Sequence, residues 1–225
     1  MPLIKKVKTR ELFECQTPYL VPLFEKSLYP WDMLLQIKDY AKKLVTEGIE
    51  GFSLLKPGVL IGRNVRVSPT ATIEAPAVIG HNTEIRPGAY IRGNVITGEG
   101  CVLGNSSEFK NCILSEGAQA PHYNYVGDSI LGICAHMGAG VLCSNLKSDG
   151  KNVVVHGDEN YDTGLRKLGA ILADGADVGC GCVLNPGTVI GRKTRVYPLN
   201  SLRGVFAEGC IVKSQDRVVP IDDKI

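Results

Sequence analysis

A histidine, two cations at a fixed interval and a close pair of cysteines are the side chains of this sequence with chemistry to offer. His122 follows Ala120 by two in Ala120-Pro121-His122-Tyr123-Asn124-Tyr125, and a neutral imidazole can take a proton from an attacking amine because histidine titrates in the useful range. Arg92 and Lys110 are 110 − 92 = 18 residues apart and form the best pair for an anion. Arg86, in Ile85-Arg86-Pro87-Gly88, is 24 residues from Lys110 and is the second choice. Cys180 and Cys182 stand in Gly179-Cys180-Gly181-Cys182, with nothing basic beside either thiol in sequence, so a cysteine nucleophile has no activating partner. The eight cysteines include no CxxC pair, which argues against a zinc ribbon or a disulfide framework. Most read as small buried apolar residues.

The elements that must position these side chains announce themselves as a repeat. From Ile61, steps of six land on Val67, Ile73, Ile79, Ile85, Ile91, Thr97, Leu103 and Phe109, with only Thr97 not apolar. Four residues further along each unit stand small or short residues, from Val65, Ala71 and Ala77 to Cys101 and Ser107. The pattern returns at Leu172, Val178, Leu184, Ile190, Val196 and Leu202. Six residues are too few for a helical repeat and enough for a short strand plus a turn, and such units stack into a parallel β-helix with coils of about 18 residues. Arg92 and Lys110 would then stack one coil apart on one face. The frame slips after Phe109 and again before Leu131, where bulges or protruding loops are expected.

Composition agrees with such a coil. The chain has 26 Gly and only 6% aromatic residues among 44% hydrophobic ones, which suits a narrow aliphatic interior with many corners. A net charge of +2 gives no global reason to expect nucleic acid or an anionic membrane as partner. No apolar run approaches the ~20 residues of a bilayer span, and the beginning Met1-Pro2-Leu3-Ile4-Lys5-Lys6 has no secretion-signal core, so a cytoplasmic protein is expected. Residues 1–50 read as helical: Pro30-Trp31 precedes Leu34, Leu35, Ile37, Tyr40, Ala41, Leu44 and Val45 at helical spacing, with Gly48 as the stop. They are expected to cap the open end of the solenoid formed by 51–225. The period disappears over about 146–170, an excursion expected to wall a site.

The stretch from Gly104 to about Gly191 resembles the acetyltransferase domain of the bifunctional enzymes that make UDP-N-acetylglucosamine, in which glucosamine-1-phosphate is acetylated from acetyl-CoA. The words that carry the resemblance are Gly104-Asn105 with Glu108-Phe109-Lys110, then His122-Tyr123-Asn124-Tyr125-Val126-Gly127-Asp128, Gly138-Ala139-Gly140 and Ser144-Asn145. Asp162-Thr163-Gly164-Leu165-Arg166-Lys167-Leu168-Gly169-Ala170 is similar to a variant in related sugar-1-phosphate nucleotidyltransferases that carry the same β-helix; their Rossmann-like nucleotidyltransferase domain and its Gly-rich loop have no counterpart here, so no nucleotidyltransferase activity is expected.

The resemblance implies an all-β, left-handed parallel β-helix that works as a homotrimer with a site between neighbouring coils. It implies His122 as base, Tyr125 at the sugar, Arg92 and Lys110 at the phosphate, and Asn145 and Lys151 at the acceptor. Cys180 falls where the pantetheine arm lies, and Lys167 with Arg166 could meet the CoA phosphates. Two residues depart from the family pattern: His136 stands in place of Asn, still a hydrogen-bonding side chain for the substrate pocket but with another donor and acceptor pattern, and Leu146 stands in place of Tyr. They favour a second reading, a non-catalytic sugar-phosphate or nucleotide-sugar binding trimer. A third, a zinc carbonic anhydrase-like β-helix, is opposed by spacing, since that family's close His pair is five apart and here the nearest is 136 − 122 = 14.

Overall fold

The computed structural model describes residues 4–221. Short strands alternate with corners and wind into a parallel β-helix of three sheets with nine, nine and seven strands. The first sheet begins its parallel run at Val59–Ile61, the second at Arg66–Val67 and the third at Thr72–Ile73, after which the chain returns to the first at Ala77–Ile79. Register follows the period: Ile61 lies beside Ile79, Ile85 beside Leu103 and Ile91 beside Phe109. These residues form one interior aliphatic cluster reaching Val212. Antiparallel strands finish two sheet edges, Ser53–Lys56 on the first and Arg217–Pro220 on the second.

The two frame slips have a different cause from the expected bulges. Register partners on the first sheet are 17 residues apart from Thr97 to Leu114 and again from Leu114 to Leu131, against 18 from Ile61 to Ile79. The missing residue is lost at the corner from the third sheet back to the first. Asn111 and Asp128 both turn that corner with φ of 49°, a left-handed conformation that Asn and Asp tolerate because their short polar side chains bond locally. The excursion leaves the coil at this same corner one turn later. Leu131 is beside Leu172, 41 residues on, which is 41 − 18 = 23 more than a regular coil. Its base is closed by the Leu168 N–H donating to Asn145 O and by a bridge between Leu146 and Lys167.

The helical segment is present but is not an end cap. Four helices, Thr9–Leu12, Val21–Lys26, Pro30–Leu34 and Ile37–Glu47, lie along the outer face of the first sheet. Pro30 opens the third helix, where a missing N–H costs nothing, and Asp32 Oδ2 accepts the Tyr29 N–H at 2.9 Å. Gly48 ends the fourth with φ of 77°. Leu12, Leu20, Trp31, Met33, Ile37 and Ala41 join a second cluster with Val78, Ile96, Ile113, Ile130, Ile171 and Val189, separate from the coil interior. Ile61, Val65, Val67 and Ala71 on the first coil stay only partly buried.

The reason is in the sequence. Strands of the first sheet are consecutive apolar residues, as in Ala77-Val78-Ile79 or Cys112-Ile113-Leu114, and consecutive apolar residues on a strand demand cover on both faces. The excursion completes that cover: Val153, Val155, Leu165 and Leu168 belong to the same cluster, and Tyr161 packs on Tyr29 and Trp31. Ile113→Ala should therefore destabilise by about 2–5 kcal/mol, although Ile113 points away from the coil interior. Urea denaturation measures this, and a loss under ~1 kcal/mol would mean that the helices are not seated on the sheet.

Candidate active site

The third sheet and its two corners gather most of the candidate residues. Arg92 and Lys110 each follow an interior residue, Ile91 and Phe109, that are register partners, and the Arg92 N–H donates to Phe109 O at 2.8 Å. The 18-residue interval thus places them on adjacent turns of the third sheet. Arg86 does not share that face. It follows Ile85 on the second sheet, where its guanidinium meets Glu84 Oε2 at 3.4 Å.

Neither cation is free of counter-charge. Arg92 Nη1 donates to Glu108 Oε1 at 2.6 Å, and Lys110 Nζ donates to Asp128 Oδ2 at 3.2 Å. Asp128 is the hub. Its side chain is 7% exposed, and besides Lys110 it accepts from Asn111 Nδ2 at 3.0 Å and Asn145 Nδ2 at 2.6 Å. Asn145 also donates to the Tyr125 hydroxyl at 3.1 Å. Tyr125 lies flat across Gly127, where an added Cβ would collide with the phenol. Burial, then the charges of Asp128 and Glu108, raise the Tyr125 pKa. It stays a phenol, and its O–H has no acceptor among the described residues.

His122 stands exposed at the corner between the second and third sheets, three residues before Tyr125. Asn124, buried between them, holds the turn: its Oδ1 accepts the His122 N–H at 3.0 Å, and its Nδ2 donates to Gly138 O at 2.8 Å and Val141 O at 3.3 Å. Below His122 on the same corner come Ala139 and then Cys180, linked by Gly140 N–H to His122 O at 3.0 Å and Gly181 N–H to Ala139 O at 2.8 Å. A track of small residues, Gly138-Ala139-Gly140 and Gly179-Cys180-Gly181, therefore runs along the coil axis from His122 to the exposed Cys180. Cys182 is buried. So are Cys101 and Cys143, whose thiols burial pushes up to about 12.

Three candidates lie elsewhere. His136 is on the second sheet beside Gln119, with Nδ1 2.8 Å from Asp177 Oδ1, and does not reach the third-sheet cluster. Lys167 sits on the excursion at the corner of Asn111 and Asp128, across the third sheet from Cys180. Lys151 is exposed on the excursion's first turn, next to Gly150, which borders the Arg166 guanidinium. Leu146 lines a separate depression of about 400 Å3 with Lys147, Asn185 and Arg203. Among the described residues no group of three His, Cys, Asp or Glu side chains is placed to hold a metal ion, and no helix is long and apolar enough to cross a membrane.

The sequence reading missed Asp128 as a hub and Asn124 as a brace, although both stand inside the His122–Asp128 word. It also missed the pairing of each cation, for which the signal was a carboxylate about one coil further on, Glu108 for Arg92 and Asp128 for Lys110.

A six-residue period, three parallel sheets and polar side chains gathered at two corners define a hexapeptide-repeat β-helix protein. Over 180 residues the chain is 35% identical to a protein named bifunctional protein GlmU from Methanococcus maripaludis strain C5, covering 75% of this chain and 42% of that relative. A 111-residue match of 37% identity, covering 49% of this chain and 28% of the relative, is to a bifunctional sugar-1-phosphate nucleotidylyltransferase/acetyltransferase from Sulfurisphaera tokodaii. The chain spans less than half the length of these curated relatives, matching their C-terminal part. Among solved structures, the acetyltransferase domain of PglB from Neisseria gonorrhoeae in complex with acetyl coenzyme A covers 81% of this chain and 63% of its own at 14% identity, with a TM-score of 0.35. That likeness is too slight to bear on the site. No protein-family model matches the chain.

The two ion pairs should differ in energy. Asp128→Ala leaves Lys110, Asn111 and Asn145 without their shared acceptor in a nearly buried corner and should cost ~3 kcal/mol. Arg92→Ala breaks an exposed pair and should cost at most ~1 kcal/mol. Thermal denaturation distinguishes them, and equal shifts would contradict the hub.

Proposed function

We propose that this protein transfers an acetyl group from acetyl-CoA to the amino group of a hexosamine that carries a phosphate on its anomeric carbon. The observation that carries the reading is the order of groups across the third sheet: an exposed imidazole at one corner, a phenol in the middle and the cations at the far side. An amino sugar laid across that sheet presents its nitrogen to His122, its ring to Tyr125 and Asn145, and its phosphate to Lys110 and Arg92. The names of the relatives, which include a bifunctional sugar-1-phosphate nucleotidylyltransferase/acetyltransferase, agree with this chemistry.

In the reaction the sugar nitrogen attacks the thioester carbon. The C–N bond forms, the nitrogen loses a proton to His122, the C–S bond breaks and the proton passes on to the departing sulfur. Charge builds on the thioester oxygen before that bond breaks, and a fixed N–H donor is the remedy that costs no reorganisation. The corner ladder uses the N–H groups of Tyr123, Gly140, Gly181 and Leu199. It leaves those of Ala139 and Cys180, on the track below His122, without a partner in that ladder. The same track of small residues suits an extended pantetheine arm, and Cys180 is then a contact of the cofactor.

We read the assembly as a homotrimer, and the pattern of cover supports this: helices and excursion occupy the first sheet, which leaves the second and third sheets for neighbouring chains. His136 on the second sheet would then take part through that neighbour's site. We place the protein in the cytoplasm, where acetyl-CoA and sugar phosphates are made.

With acetyl-CoA and a panel of hexosamine 1-phosphates, free thiol should appear with at least one of them. His122→Ala should lower kcat by roughly 10²–10⁴ while leaving CoA affinity unchanged, and a full rate would remove His122 from the chemistry. Binding of the sugar phosphates with no thiol release from any of them would favour the non-catalytic reading. Light scattering should report three chains per particle, and a monomer would remove the shared site.

A further inference from the structure

The charge balance of the third-sheet cluster leaves the proposed acceptor short of cations. Arg92 and Lys110 contribute two positive charges, and Glu108 and Asp128, bonded to them, contribute two negative ones. A phosphate carrying close to two negative charges needs more than a neutral cluster offers. Arg166 and Lys167 are exposed cations without an ion pair among the described residues. Both belong to the excursion, and both stand at the corner turned by Asn111 and Asp128, beyond Lys110 from His122.

That corner also holds a cavity of about 260 Å3. Its walls are Leu34 and Leu35 from the end of the third helix and Leu165 from the excursion, its floor is Asn111 and Asp128, and Arg166 and Lys167 form its rim. The cavity and the sugar cluster meet at Asp128, whose carboxylate is shared by Lys110 and Asn145 on one side and Asn111 on the other. A volume below the roughly 300–1,000 Å3 of pockets that enclose a whole ligand fits one ring of a larger one. Leu35 is 74% exposed, a large apolar side chain left at the cavity mouth.

Resting on the reading above, we propose that the acceptor is a nucleoside-diphosphate-linked amino sugar, with its diphosphate between Lys110 and the Arg166–Lys167 rim and its base against Leu34, Leu35 and Leu165. The order along the site then matches the order of groups in such a molecule: amine at His122, sugar at Tyr125, phosphates at the corner, base in the cavity. The N-terminal helical segment and the Asp162–Ala170 word thereby acquire a part in specificity.

The test begins with UDP, dTDP, GDP and ADP titrated calorimetrically into the full chain, with pyrophosphate and CoA as comparisons. At least one nucleoside diphosphate should bind roughly tenfold more tightly than pyrophosphate, the gain expected from burying one apolar ring face. Leu35→Asp, at an exposed position that the fold does not need, should abolish that gain. In thiol-release assays it should raise KM for the amino sugar linked to that nucleotide roughly tenfold, with kcat unchanged and KM for the hexosamine 1-phosphate unaltered. Arg166→Ala should weaken pyrophosphate and nucleoside diphosphates alike. If no nucleoside diphosphate exceeds pyrophosphate, or if Leu35→Asp weakens CoA instead, the inference is overturned while turnover of the hexosamine 1-phosphate leaves the acetyltransferase reading standing. Absence of thiol release with every acceptor, by contrast, overturns that reading itself.

Discussion

Asp128 turns a corner in left-handed backbone with its carboxylate almost wholly withdrawn from water, and that one arrangement organises the face around it. A carboxylate so placed must be satisfied from nearby, because an unpaired buried charge is far more costly than the sum of the bonds it makes. Lys110 reaches it from the preceding turn, Asn111 from the equivalent corner and Asn145 from the turn after. Asn145 in turn steadies the Tyr125 phenol, which lies over Gly127. Three consecutive turns of the coil are thus bonded through one side chain on the very face that presents the candidate chemistry.

The corner also explains where the chain could depart from its repeat. Tight corners at Asn111 and Asp128 bring the third and first sheets close together, and the excursion emerges one turn on, at the edge of the two-sided apolar sheet. It leaves from there, packs its apolar residues on that sheet beside the helices, and returns with Arg166 and Lys167 at the same corner. Cover for the first sheet and construction of a charged rim are therefore consequences of one insertion. The opposite corner has no insertion. His122, Ala139 and Cys180 follow one another there with small neighbours, which leaves a straight open track.

The glycine-rich, ring-poor composition and the period of six were enough to read the parallel coil, since an aliphatic residue every six positions has few other uses. The one-coil spacing of Arg92 and Lys110 was equally legible, because registry in a solenoid is arithmetic. Arg86 shows why registry matters: it precedes Arg92 by only six residues, yet that offset turns it onto another sheet. The helical spacing after Pro30 was visible too. Its destination was misjudged, although apolar triples such as Cys112-Ile113-Leu114 advertise a sheet that needs cover outside as well as in.

By itself, then, the sequence determined the coil, the inward residues and the shared face of Arg92 and Lys110, because these depend only on a period repeated along the chain. Tertiary structure alone decided what each side chain meets. Lys110 finds Asp128 across a turn, Asn145 spans from the base of the excursion to Tyr125, and Lys167 lands at the corner across the third sheet from Cys180. These outcomes rest on corner conformation and on the path of 23 extra residues (41 − 18), neither of which has a period to read.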